Sequence, residues 1–201
     1  MTYQTLKLLL PETYSHTNKS YNFIKMAEFN QMQEVKRHFF ALRNGIIADT
    51  IRKAGYNYKI VFGLNIPQLR EIAATIGKNE ELALTLRQNV TTRESLLIAP
   101  MIFPAENLTT EEAEHWVAEC QTTEVADVLC HALLRHLSDA ESLAKKLLAS
   151  DSEMSQYTGL RLLLNIHSPI DEKISEFCKN MASKPGILRF VANQLLEDSA
   201  M

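Results

Sequence analysis

Cysteine is scarce: Cys120, Cys130 and Cys178 are the three in 201 residues, and none has a partner at the spacing of a disulfide framework or a zinc knuckle. A stapled secreted scaffold is therefore excluded, and a reducing cytoplasm is the expected compartment. No apolar run approaches the roughly 20 residues needed to cross a bilayer, and "LKLLL" near the start is too short and too poorly flanked for a signal peptide. Period-two alternation is also missing over any useful length, which excludes a sheet protein. A glycine-flanked serine elbow is absent, so Ser152, Ser155 and His167 suggest no acyl-transfer site. His131 and His136 with Cys130 lack the spacing of a metal set, and no metal is expected. Nor is there an overall surplus of positive charge, since the net value is −3.

What is present is helical periodicity. Hydrophobic residues make up 46% of the chain, enough for a continuous core, and they recur at three- and four-residue spacing. Stop signals divide the chain into spans at about 28–43, 45–54, 67–76, 79–89, 92–103, 109–120, 123–137, 139–149, 152–167, 171–183 and 186–198. Thr109 or Thr110 with Glu111 and Glu112, and Ser138-Asp139 before "AESLAKKLL", are helix starts, and Pro67 suits a first turn. Trp116, with Ala113, Val117 and Cys120, sits on a helical stripe and is expected in the core.

From Thr109 onward the spans pair into units of about 28 to 30 residues, the mark of an α-solenoid. The competing reading is an irregular helical bundle. The fold expected is all-α, a right-handed solenoid of HEAT-like pairs, akin to armadillo repeats, with a concave groove lined by the second helix of each pair. Residues 1–25, which include Pro11, are expected to form a flexible arm, with Met26 as a second candidate start and 26–201 as a single repeat domain.

Charge is unevenly placed. Residues 36–93 hold ten Lys and Arg against four acids, whereas 106–153 hold eleven acids against three bases. The first half can face phosphates; the second can do so only if its acids fall on outer helices. On the expected pairing most of them do, leaving Glu124, Asp127 and Glu153 toward the groove.

The stretch Tyr58 to Ala73, "YKIVFGLNIPQLREIA", carries the most specific pattern. Its Phe62, Gly63, Leu64, Pro67 and Arg70 resemble the turn motif of the AlkD-like DNA alkylation repair family, the HEAT-like repeat DNA glycosylases. The resemblance runs from about Phe29 to Glu197 and includes "EVADVL" and "LASDSEMSQYTGLRLLL". It implies release of N3- or N7-alkylated purines from double-stranded DNA by hydrolysis of the N-glycosidic bond, without a cofactor. An aspartate beside the sugar stabilises the oxocarbenium-like transition state, and that aspartate falls on Asp127. The tryptophan expected four residues earlier is Thr123, the arginine of the next groove helix is Tyr157, and the last helix's tryptophan falls near Asn193.

The resemblance therefore implies Asp127 as the catalytic carboxylate; Tyr157 departs from the family pattern and is expected as a second catalytic residue that packs against lesion sugar or base in place of the missing groups. Arg43, Arg52, Lys53, Arg70 and Arg161 are expected to contact the DNA backbone. The other reading of Asp127 is a first-turn acid favoured by the helix dipole. The alternative function is a catalytically degenerate module that binds structured DNA or a protein partner; on either reading a monomer with no membrane partner is expected.

Overall fold

Seven short polar side chains set most of the helix starts. Asn44, Asn65, Asn79, Thr109, Thr122, Ser152 and Asp171 each accept a hydrogen bond from a first-turn amide that the helix itself leaves unpaired. At Asn65 the bond is reciprocated by Gln68, forming a capping box, and Pro67 occupies the first turn.

The computed structural model describes residues 31–199. Residues 31–41 form α1. There follow α2 (Gly45–Lys53), α3 (Ile66–Ile76), α4 (Glu80–Arg87), α5 (Arg93–Ile102), α6 (Thr110–Ala118), α7 (Thr123–Ala132), α8 (Ala140–Leu148), α9 (Glu153–Ile166), α10 (Glu172–Ala182) and α11 (Leu188–Asp198). Single 3-10 turns lie at Ala105–Asn107 and Leu134–His136. The expected arm at 1–25, the candidate start at Met26 and the start of the first span lie outside the described residues. Among the described residues no helix is long and apolar enough to cross a membrane.

The helices form two rows. Along the inner row α3 packs on α5, α5 on α7, α7 on α9 and α9 on α11. Behind it α4 backs α5, α8 backs α9 and α10 backs α11. Each unit thus buries its apolar stripe against its neighbours, as a solenoid requires. Leu69, Leu86, Leu97, Ile98, Leu129, Leu160 and Val191 belong to one continuous core. Trp116 is 5% exposed and meets Phe103 edge-on at 5.7 Å, in the core as its spacing predicts.

The outer row takes up the acids. Arg87 of α4 lies over the Trp116 ring and pairs with Glu112 and Glu119, and Lys146 of α8 pairs with Glu114 of α6 at 2.6 Å. The acidic stretch is therefore partly neutralised away from the inner row.

One expected helix is shorter. The span 123–137 ends at Ala132, because Leu133 leaves helical geometry (φ −131°, ψ −62°) and a 3-10 turn follows. Leu133 and Leu134 are both fully buried, and the break lets two adjacent side chains point inward together.

The segment before α3 is strapped to the start of α5. Ile60 bridges to Thr92 in a short parallel contact, and the Tyr58 and Thr122 hydroxyls are hydrogen-bonded at 2.7 Å. Burial among these groups pushes the Tyr58 hydroxyl up to about 12. Glu94, 0% exposed, accepts from the amides of Phe62 and Gly63 at 3.0 Å and of Leu64 at 3.4 Å, and from Arg93 at 3.0 Å. Arg93 also donates to the Leu64 carbonyl at 2.9 Å and forks onto Glu124. Three successive backbone N–H groups, an arrangement that could cradle a phosphate, are thus already filled by a carboxylate of the chain itself. The turn motif is structural apart from Arg70.

Candidate nucleic-acid interface

The inner row encloses a groove of about 640 Å³. Helical spacing explains its lining. Ile66, Arg70, Ala73, Ala74 and Gly77 lie on one stripe of α3 and its cap, Asp127, Val128, His131, Ala132 and Arg135 on α7 and its 3-10 turn, and Arg161 and Asn165 one turn apart on α9. Lys78 and Met101 complete it. Ala73, Ala74, Gly77 and Ala132 make a stretch of small residues, and among the described residues no Phe, Tyr or Trp lines the groove.

Among the described residues Arg70, Lys78, Arg135 and Arg161 line the groove against one carboxylate, Asp127, a balance of +3 in a chain of net −3. Arg70 forms no ion pair among the described residues. The Lys78 ammonium donates to the Met101 and Phe103 carbonyls at 3.1 and 3.0 Å, which closes the end of α5 and fixes its charge beside the groove.

Asp127 is held from α9. Arg161 donates from Nε to Oδ1 at 2.5 Å and from Nη2 to Oδ2 at 3.1 Å, and the Tyr157 hydroxyl donates to Oδ1 at 2.8 Å. A third donor of Arg161 reaches Gln194 of α11 at 3.2 Å, so one guanidinium ties three inner helices together. The hydrogen bond from Arg161 to Asp127 pushes the guanidinium above its usual range, while burial beside the same carboxylate raises the Tyr157 hydroxyl well above the ordinary phenol value.

These contacts revise three sequence expectations. Tyr157 is 6% exposed and does not line the groove, so its ring packs in the core and it offers Asp127 its hydroxyl, not a DNA base its face. Asp127 lies in the second turn of α7, where Glu124 is the first-turn acid, so a helix-dipole role does not describe it. Arg161 lines the groove, but its fork is engaged by Asp127.

Arg70 and Arg161 are brought together in the groove. Arg43, Arg52 and Lys53 are not: Arg43 and Arg52 border a separate cavity at α2, and Lys53 is exposed at the end of that helix. Lys78 and Arg135 are groove cations that spacing alone did not single out. Arg135 could have been found as the next member of the Asp127, His131 stripe. Lys78 lies in a connection and carried no such signal. Glu153, expected toward the groove, does not line it, and Glu124 is consumed by Arg93.

Among solved structures, one protein matches with a TM-score of 0.72 and 20% identity, over 84% of this chain and 75% of its own. That structure is described as belonging to a new family of proteins related to the HEAT-like repeat DNA glycosylases with affinity for branched DNA structures, and the likeness establishes the shared HEAT-like fold. No curated protein matches the sequence. The sequence profile of the DNA alkylation repair enzyme family matches residues 35–184. With three quarters of its length inside that profile, the chain belongs to the DNA alkylation repair enzyme family.

Proposed function

We propose that the groove binds DNA through its phosphate backbone and that this chain is a binding member of its family. The observation that carries the reading is the groove's charge: four cations line it beside a stretch of small residues, and the carboxylate among them is already forked by Arg161. Small residues permit a sugar-phosphate backbone to approach closely, and lone arginines such as Arg70 gain most from a phosphate. The affinity for branched DNA of the structurally similar protein supports the same ligand class.

Base excision has weaker support. A carboxylate that stabilises a cationic sugar must keep its field, and the Arg161 charge at 2.5 Å offsets that of Asp127. Thr123 and Asn193 stand where aromatic faces would favour a cationic base.

The test is fluorescence anisotropy with duplex and four-way-junction DNA over a salt series. Replacing Arg70 and Arg135 together by Ala is expected to flatten the slope of log K against log salt by about 2, one for each lost phosphate contact. An unchanged slope, or salt-independent retention of a protein partner in place of DNA, contradicts the reading. On alkylated DNA, release of 7-methylguanine or 3-methyladenine is expected at background. Release that Asp127→Asn abolishes would replace binding by excision as the function.

A further inference from the structure

We infer that the edge formed by α1, α2 and the turn at Val61 and Phe62 is a second nucleic-acid surface that takes an unpaired single strand. None of its residues lines the central groove. Phe40 is 57% exposed, so a ring that burial would stabilise stands at the surface. It is also held in place: the Arg43 guanidinium lies 3.8 Å from the ring centroid and donates to the Phe40 carbonyl at 2.7 Å.

Cations surround this ring. Lys36 and Arg37 border a cavity of about 330 Å³ with Phe40, and Arg43 and Arg52 border another of about 490 Å³; both share Phe62 as a wall. Each has the volume of a small-molecule site, enough for a nucleotide. Lys36, Arg37 and Arg43 form no ion pairs among the described residues, and Arg52 is paired with Asp49 at 3.0 Å on an exposed helix face, where such a pair exchanges readily for a phosphate.

Surplus positive charge selects a polyanion, and an exposed ring selects one with a free base face. A duplex hides its base faces in the stack; a single strand offers both phosphate and base. Together with the groove, this edge would give the chain two contacts of different kind, one for paired and one for unpaired DNA.

The experiment uses the full chain, a fluorescein-labelled oligothymidylate of about 12 nucleotides and a blunt duplex. Phe40→Ala is expected to weaken oligothymidylate binding about tenfold and to leave duplex binding within about twofold, while Phe40→Trp retains strand binding. Arg70→Ala should do the reverse, weakening the duplex more than the strand. No binding of oligothymidylate by the wild type, or equal loss of both ligands in Phe40→Ala, overturns the inference and leaves the groove reading to its own test.

Discussion

Replacing Glu94 by Ala is expected to lower global stability by about 3–5 kcal/mol, the range for breaking a buried ion pair by removing one partner. Its carboxylate is fully buried and accepts from three consecutive amides and from Arg93. Removing it strands those amides and leaves Arg93, which is itself 4% exposed, with Glu124 as its remaining acidic partner. Glu94→Gln keeps the shape and loses the charge, so a smaller cost of about 1.5–3 kcal/mol is expected. Urea unfolding followed by circular dichroism measures both. With a slope of about 2 kcal/mol/M, the Ala variant's midpoint should fall by about 2 M. A loss below about 1 kcal/mol for Glu94→Ala would show that the strap between the turn motif and α5 contributes little.

Gly63→Ala should cost a similar amount for a different reason. Gly63 has φ +80°, and a Cβ there would lie 2.2 Å from the Asn44 carbonyl oxygen and 2.8 Å from the Ala48 nitrogen. Both are backbone atoms at the start of α2 and cannot rotate away. The left-handed conformation adds about 1–2 kcal/mol and forced overpacking about 1–3. Gly55 is the control, with φ +91° and open space where its Cβ would stand, so Gly55→Ala carries only the conformational part. Thermal and urea melts should therefore separate the two variants by at least about 1–3 kcal/mol. Equal melts would mean that α2 does not press on the turn.

Both substitutions fall in or against the stretch that identifies the family, and they show what was legible in the sequence. Gly63 and Pro67 could be read as a turn and a helix start because local backbone chemistry requires them. The paired helices were legible for the same reason: apolar stripes and polar caps act within a few residues of themselves. The Glu94 clamp was not, because its amide partners lie about thirty residues earlier. A trace of it was present, since Glu94 sits three and four residues before Leu97 and Ile98, on the stripe that packs inward.

The site was legible in part. Asp127 and Arg161 fall on helical stripes that face the groove, but that they neutralise each other depends on how α7 sits against α9, a contact between residues 34 apart. Arg135 continues the Asp127, His131 register past the break at Leu133, and nothing in the spacing of that span showed where the helix would end. Arg43 and Arg52 stood among the expected backbone contacts by charge alone, and the fold places them at a cavity of α2 distinct from the groove that Arg70 lines.

The most direct test of the account is the DNA dissociation constant of Asp127→Asn against wild type, on one duplex at one moderate salt concentration. Asparagine keeps the acceptor for Tyr157 and Arg161 but removes the one negative charge that lines the groove among the described residues, and it leaves the Arg161 charge to a phosphate. Tighter binding by about fivefold, equivalent to about 1 kcal/mol, is expected. Weaker or unchanged binding would contradict the account, because a backbone-binding groove cannot lose a repulsive charge without gaining affinity.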